Sequence, residues 1–135
     1  HGYTVGGGAE IAICSDIRIG GSNLQMRFPG AALGVPVGPA RLVSLCGLSA
    51  AKYLLLSSNV IKCDEAFRLN LVNQISPGAA TENAALELAA RIAAYDPEPV
   101  ANIKRMLHKW DDIEGRSADE GRGQVEAQRS GKGLH

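Results

Sequence analysis

A run of three glycines followed by a glutamate is the part of the sequence best suited to chemistry. Gly6–Gly8 follow the β-like run Tyr3–Val5, and Glu10 belongs to a short predicted helix, Ala9 to Cys14. Glycines let the backbone turn sharply and approach a ligand with no Cβ in the way. The N–H groups at the start of a helix, together with the positive end of its dipole, favour an anion. This segment therefore suits a phosphate, or the negative oxygen that develops on a reacting carbonyl.

Two phosphate-binding patterns do not fit the glycine run. No Gly-Lys-Ser/Thr sequence follows it, and the dinucleotide pattern would need Gly or Ala where Ile11 stands. An oxyanion hole, in which backbone N–H groups stabilise a negative carbonyl oxygen, fits better. On the residues alone, Glu10 is either a proton-transfer group or a carboxylate that favours the N-terminal end of the helix dipole.

The elements that must position these residues change in type along the chain. The first 48 residues are rich in glycine with short β-like runs, and the rest is mostly helical. Asn70 stands where a left-handed helix cap is needed. The predicted elements after the first helix are strands at Asp16–Ile19 and Leu24–Phe28, helices at 39–46 and 49–57 separated by Gly47, a helix at Asp64–Leu69, and a strand at Leu71–Ile75.

Two later helices have clear start signals. Thr81 is predicted to cap the first, and Asp96-Pro97 to begin the second. From Asp111 onward the sequence is polar, which favours an exposed or partner-packed helix, with disorder towards Leu134 as the competing interpretation. The apolar residues at helical spacing are Ala85, Leu88, Ala89 and Ile92 in the first helix and a predicted buried stripe of Val100, Ile103 and Leu107 in the second.

Composition and charge narrow the class of protein. The 135 residues fit one domain or a large part of one, with 45% hydrophobic and only 4% aromatic residues, and fourteen basic residues offset fourteen acidic ones. This balance gives no broad electrostatic reason to expect nucleic acid or an anionic membrane as a partner. No uninterrupted apolar run has the length that spans a bilayer. Because the chain begins at His1 inside a strand-turn-helix pattern, we expect it to be a fragment of a longer protein.

The cysteines and histidines do not indicate a disulfide or a metal site. Three cysteines are an odd number, and they form no C-x-x-C pair. Free thiols in a reducing, cytoplasmic compartment fit this pattern better. The histidines have no ligand-like spacing, so we expect no metal. The residues concerned are Cys14, Cys46, Cys63, His1, His108 and His135.

The order of motifs resembles the later part of an enoyl-CoA hydratase/isomerase, or crotonase-like, domain. The run G-Y-T-V-G-G-G-A-E-I-A-I-C-S-D-I-R-I from Gly2 to Ile19 is similar to the family's signature around its glycine turn and the helix after it. The resemblance covers residues 1 to about 109. The further matches, the first two with fewer intervening residues than the family pattern, are Phe28-Pro29 for F-x-x-P-E, Leu33-Gly34 and Pro36 for L-G-x-x-P, Arg41-Leu42 with Gly47 for R-L-x-x-x-x-G, and Ala66 with Leu71-Val72 for A-x-x-x-G-L-V, in which Asn70 replaces the glycine.

This resemblance implies an α/β fold of known organisation. The family's fold is a spiral of β-β-α units followed by helices that mediate trimerisation. Here only the last turns of the spiral are expected. Residues 1–78 would form the end of the spiral core with the oxyanion-hole loop, and residues 79–135 the C-terminal helical trimerisation region. A homotrimer or a dimer of trimers is the expected assembly.

The resemblance also implies a role for residues of the glycine turn. In the family the middle glycine of the run, here Gly7, gives one of the two oxyanion-hole N–H groups, and the other comes from an earlier loop. Glu10 matches one of two glutamates that hydratases place around a water. The second should follow Pro29, where this chain has Gly30. The remaining substrate-binding positions implied by the match are Gly6, Gly8, Pro29, Gly30 and Leu33.

Position 30 separates three functional hypotheses. The first is an enoyl-CoA hydratase-like lyase that uses Gly7 for the oxyanion and Glu10 for proton transfer. The second is another crotonase chemistry, such as isomerisation, decarboxylation or thioester hydrolysis, and the third is a catalytically weakened acyl-CoA-binding protein. The expected partner is an acyl-CoA thioester, with coenzyme A as part of the substrate and no separate cofactor. On the sequence alone, Gly30→Glu should raise a weak crotonyl-CoA hydratase activity.

Overall fold

Short strands and longer helices alternate along the chain. A computed structural model describes residues 1–131. The strands are β1 (Tyr3–Val5), β2 (Ile19–Gly21), β3 (Gln25–Arg27), β4 (Ile61–Lys62) and β5 (Gln74–Ser76), and the helices are α1 (Gly7–Cys14), α2 (Pro39–Ser57), α3 (Cys63–Arg68), α4 (Thr81–Ala93), α5 (Pro97–Trp110) and α6 (Ile113–Arg129). Single 3-10 turns lie at Ala31–Leu33 and Gly78–Ala80.

The strands form two small sheets. In the first, β3 lies between β1 and β4, parallel to β1 and antiparallel to β4. In the second, β2 pairs in parallel with β5. Parallel neighbours need a crossover connection, and α1 is part of the one that leads from β1 to β3. The carboxyl end of β1 is therefore the start of the glycine turn into α1.

The core lies between these sheets and the first two helices. Its largest fully buried side chains are aliphatic except for one phenylalanine, which agrees with the low aromatic content of the chain. Burial of each such side chain contributes roughly 1.5–3 kcal/mol to folding. The fully buried set is Phe28, Ile13, Leu42, Leu54, Ile61 and Leu71.

Strand β2 begins three residues later than the sequence predicts and includes Gly20 and Gly21. A Cβ on Gly20 would lie 2.8 Å from the Val72 side chain, and one on Gly21 would lie 2.7 Å from Thr81 Oγ1. The two glycines are thus packing positions inside the strand and not a turn after it. Strand β5 is also later than predicted, since the backbone N–H of Leu71 still donates to the Ala66 carbonyl to close α3.

Helix α2 is broken where the sequence predicts a separation. Gly47 has φ 78° and ψ 164°, which is outside the helical region, so the helical segments on either side meet at a kink. By length and composition alone α2 could cross a membrane, a test that core helices of soluble proteins also pass. Ala40, Leu42, Ala51 and Leu54 are buried, and α2 packs against α1 and α6. We interpret α2 as a core helix.

The caps of the later elements are partly as predicted. Asn70 has a left-handed backbone with φ 62°, and the Asp96 carboxylate accepts the Glu98 N–H at 3.1 Å, as expected for an N-cap. The prediction for Thr81 is wrong, because Thr81 is the first residue of α4 and Ala80 occupies the cap. The Thr81 hydroxyl donates back to the carbonyls of Pro77 and Gly78 instead.

Helix α5 is much more exposed than the sequence predicts. Ile103 is 59% exposed and Leu107 55%, so the predicted stripe is not buried within residues 1–131, and Val100 is only half-buried. No described element covers that face. In α4 the half-buried positions are Ala84, Leu88 and Ile92, while Ala85 and Ala89 are exposed. The prediction for Leu134 lies outside the described residues.

Candidate active site

The glycine turn is built by the backbone of Gly6. This residue has φ 55° and ψ −121°, a conformation that residues with a Cβ rarely adopt. Its N–H donates to the Arg27 carbonyl at 3.1 Å and extends the ladder between β1 and β3. Its carbonyl accepts the Glu10 N–H at 2.9 Å, which is the first bond of α1. The sheet therefore fixes where α1 starts and in which direction its first N–H groups point.

Gly7 and Gly8 are the first two residues of α1. Within residues 1–131 neither N–H takes part in a backbone or side-chain hydrogen bond, whereas the Gly6 N–H does. A Cβ built on either glycine would meet nothing within 4 Å. The first turn of α1 thus presents unpaired donors and the positive end of the helix dipole to open space. Unpaired N–H donors of this kind stabilise a negative charge that lies close to them.

Glu10 lies in the same first turn and is half-buried. Desolvation by burial, followed by the negative charge of Glu120, raises its pKa from 4.5 to about 7. Both protonation states are therefore populated near neutral pH. A carboxyl group with a pKa close to the working pH can act as a base in one step and as an acid in the next.

Gly30 is held in a closed turn that has no room for a side chain. Its carbonyl accepts the N–H groups of Val35 at 2.8 Å and Leu33 at 3.1 Å. A Cβ on residue 30 would lie 2.5 Å from the Val35 carbonyl oxygen and 3.2 Å from the Val37 side chain. Because the nearest obstacle is backbone, a substitution here must move the segment from 35 to 37. The structure thus gives a packing reason for glycine at this position.

Gly38 brings Glu10 close to a part of the chain that is distant in sequence. It has φ 97°, and a Cβ here would lie 2.8 Å from Glu10 Oε1. The Gly38 N–H donates to Glu120 Oε1, and the Ala40 N–H donates to Glu120 Oε2, both at 2.9 Å. The carboxylates of Glu10 and Glu120 therefore both lie beside the Gly38 turn, next to the start of α2.

The predicted substrate-binding positions are only partly gathered around this turn. Pro29 Cγ lies 3.8 Å from the position of a Cβ on Gly6, so these two segments meet. Leu33 belongs to the 3-10 turn and is exposed. Sequence reasoning missed Glu120 altogether. No local pattern in the polar helix α6 distinguishes it from its neighbours, and its contact with residue 38 exists only in the folded chain.

Asp16 forms an exposed ion pair with helix α5. Lys104 Nζ lies 2.5 Å from its carboxylate and His108 Nε2 lies 3.6 Å from it. The hydrogen bond from Lys104 is the main reason why the pKa of Asp16 is lowered. Lys104 and His108 therefore join α5 to the segment before β2.

A large apolar cleft lies beside this site and not at its centre. It has a volume of about 690 Å³ and is lined by the 31–39 segment, α2 and α6, with Val35, Val37, Leu55 and Ala127 among its apolar side chains. Neither Gly7 nor Glu10 lines it. Among the described residues, no group of three or more His, Cys, Asp or Glu side chains could hold a metal ion.

Comparison with known sequences matches most of the chain to one family. The sequence model described as Enoyl-CoA hydratase/isomerase matches residues 1–126. A short-chain-enoyl-CoA hydratase of Clostridium acetobutylicum is 37% identical over 112 residues, which are 81% of this chain and 43% of that protein. A crotonyl-CoA hydratase of Syntrophomonas wolfei is 44% identical over 78 residues, which are 56% of this chain and 30% of that protein.

Comparison of the fold with solved structures gives matches that are also described as enoyl-CoA hydratases. A crystal structure of an enoyl-CoA hydratase from Mycobacterium paratuberculosis superposes with a TM-score of 0.85 at 26% identity. The superposed region covers 96% of this chain and 60% of the mycobacterial chain. The predicted crotonase-like fold is therefore confirmed. The chain spans less than half the length of the curated relatives above.

Proposed function

Because the chain belongs to the enoyl-CoA hydratase/isomerase family, we propose that it is the later part of an acyl-CoA-processing enzyme with hydratase-like chemistry. The observation that carries this proposal is the first turn of α1. There the unpaired N–H of Gly7 and the carboxyl group of Glu10, with its pKa of about 7, lie within four residues of each other. The substrate would be an enoyl-CoA thioester, with coenzyme A as part of it and no separate cofactor.

The proposed reaction adds water across the double bond next to the thioester carbonyl. The ionised Glu10 takes one proton from a water molecule, and the remaining hydroxyl forms a bond to the β-carbon. The electron pair of the double bond moves to the carbonyl oxygen, where the Gly7 N–H stabilises the negative charge. The protonated Glu10 then gives its proton to the α-carbon as the carbonyl re-forms. The product is a 3-hydroxyacyl-CoA, and Glu10 returns to its starting state.

A pair of substitutions at Gly7 tests the oxyanion role in the full-length protein. Pro is tolerated at the first position of a helix but has no N–H, so Gly7→Pro should lower kcat about 10²–10³-fold. Gly7→Ala is the matched control, since it keeps the N–H and its Cβ enters open space. Equal kcat values for the two folded variants on crotonyl-CoA would reject the oxyanion role.

The closed turn at Gly30 favours a second candidate function. The turn leaves no space at residue 30 for the second carboxylate that is expected of a hydratase. The enzyme would then perform another crotonase chemistry, such as isomerisation, decarboxylation or thioester hydrolysis, or bind acyl-CoA with weakened catalysis. Steady-state assays of the full-length protein on crotonyl-CoA and on saturated acyl-CoA thioesters distinguish these outcomes. Release of free coenzyme A without hydration would favour thioester hydrolysis.

We propose further that the protein is a homotrimer or a dimer of trimers, with residues 79–135 as the helical trimerisation region. The support is the apolar face of α5, whose side chains are 50–70% exposed within residues 1–131. Its members are Ile103, Met106, Leu107 and Trp110. The proposed location is the cytoplasm, without nucleic-acid or membrane partners, on the basis of the balanced charge and the free cysteines.

A further inference from the structure

Glu120 in α6 is held at the start of α2 by three donors. Its two carboxylate oxygens accept the N–H groups of Gly38 and Ala40, each at 2.9 Å. Gln124, one turn later in α6, donates from Nε2 to Oε1 at 3.1 Å. Charge-assisted bonds of this kind at a helix N-terminus are among the stronger ones in proteins. They join α6 to the segment that carries Gly38.

The Glu10 carboxyl group lies close to the backbone of the same segment. A Cβ on Gly38 would lie 2.8 Å from Glu10 Oε1 and 3.3 Å from the Leu55 side chain. The Gly38 backbone therefore limits where the Glu10 carboxyl group can lie. A shift of this turn by a few tenths of an ångström would change the space available to the Glu10 carboxyl group, and Glu120 holds the turn through its hydrogen bonds to Gly38 and Ala40.

We propose that Glu120 is a positioning residue that acts through Glu10. It holds the Gly38 turn against the Glu10 carboxyl group, and its own negative charge favours a proton on that group. The inference rests on the proposed role of Glu10 in proton transfer. It deepens that role because, in the proposed reaction, the Glu10 carboxyl group both accepts and returns the proton.

The charges around Glu10 support this assignment. Burial is the first cause of its raised pKa, and the negative charge of Glu120 is the second. The elements that pack most closely on α1 are β1 and α2. Their titratable side chains do not contribute to the shift; they are Tyr3, Arg41, Cys46, Lys52 and Tyr53. Glu120 is thus the charged group in residues 1–131 whose removal should change the protonation of Glu10.

The first test is the pH profile of kcat/KM on crotonyl-CoA for the full-length protein. Glu120→Gln keeps an oxygen that accepts a backbone N–H but removes the charge. We expect the acidic limb, which reports the ionisation of Glu10, to move down by about 0.5–1 pH unit, as one charge several ångströms away implies. Glu114→Gln, an exposed carboxylate on the same helix, is the matched control and should leave the limb in place. A residue that only stabilises the fold would change the melting temperature and not the limb.

A direct titration keeps the inference separate from the proposed function. The carboxyl carbon of Glu10, observed by NMR with carbon-13 label and assigned through Glu10→Gln, reports its pKa whether or not the protein hydrates crotonyl-CoA. Gln124→Lys is the second variant, since it leaves Glu120 in place and sets a positive charge beside it at i, i+4 spacing. Both variants should lower the pKa of Glu10. An unchanged Glu10 titration in the folded variants would overturn the positioning role, whereas inactivity with a shifted titration would reject only the proposed function.

Discussion

The Val35 carbonyl oxygen lies 2.5 Å from the position that a Cβ on Gly30 would take. The Val35 N–H in turn donates to the Gly30 carbonyl, so the two residues close a turn of the backbone. This turn leads directly into the segment that ends at Gly38. Residue 30 therefore affects the shape of the site through the backbone, in addition to any chemistry its side chain would supply.

The closed turn reverses what the sequence alone predicts for Gly30→Glu. We expect this substitution to destabilise the protein by about 1–3 kcal/mol, the usual cost of forcing extra atoms into a packed site, and to give no gain in hydration. Gly30→Ala is the control, because it introduces the Cβ without the carboxylate. Thermal unfolding and crotonyl-CoA assays of both variants give the comparison. A stable Gly30→Glu protein with higher hydratase activity would show that the turn opens easily.

Glu10→Gln should abolish proton transfer and change the pH dependence of stability. We expect a loss of activity of about 10²–10⁴-fold. The folded pKa of about 7 is above the unfolded value of 4.5, so the native state binds more protons between these pH values. The contribution of Glu10 to the free energy of unfolding is fully present below about pH 4.5 and is lost as the pH rises through 7.

The stability part of this prediction is measurable by denaturant unfolding. At pH 8 Glu10→Gln should be more stable than the natural protein by about 1–2 kcal/mol, which allows for solvent screening of a half-exposed group. Near pH 4.5 the two proteins should be equally stable. A stabilisation of the same size at both pH values would mean that the effect comes from packing and not from ionisation.

Gly38→Ala should displace the Glu10 carboxyl group. The added Cβ would lie 2.8 Å from Glu10 Oε1, and the left-handed backbone adds a strain of roughly 1–2 kcal/mol. We expect activity to fall about 10²-fold, since misplacing a catalytic group by an ångström has an effect of this size. Gly47→Ala is the control, because Gly47 also has positive φ but open space around it. Comparable kcat values for the two variants would argue against contact between residue 38 and Glu10.

The exposed apolar face of α5 predicts that this helix lies in the subunit interface of the proposed trimer. A charge within an interface is costly unless it is paired, so Ile103→Lys with Leu107→Lys should dissociate the proposed trimer. Light scattering of the full-length protein at micromolar concentration checks the mass. Lys109→Gln, an exposed position on the same helix, should leave the mass unchanged. A natural protein that is already monomeric under these conditions would contradict the proposal.

Local chemistry explains why several elements were predictable. The glycine turn into α1, the kink at Gly47, the left-handed Asn70 and the Asp96 cap each depend on the conformational preference of one or two residues. The family was predictable for the same reason, because its motifs lie in consecutive short segments. Strand β2 was placed too early because its glycines are required by Val72 and Thr81, which are distant in sequence.

The sequence by itself determined the fold class, the family and the two residues of the proposed chemistry, Gly7 and Glu10. These follow from residue types at fixed short spacings, which are properties of the chain before it folds. Only the tertiary structure decided that Gly30 is enclosed and that Glu120 accepts a hydrogen bond from the Gly38 N–H. It also decided that the predicted stripe of α5 is exposed within the described residues. Contacts between segments as far apart as residues 38 and 120 depend on how helices pack, and no local pattern specifies that packing.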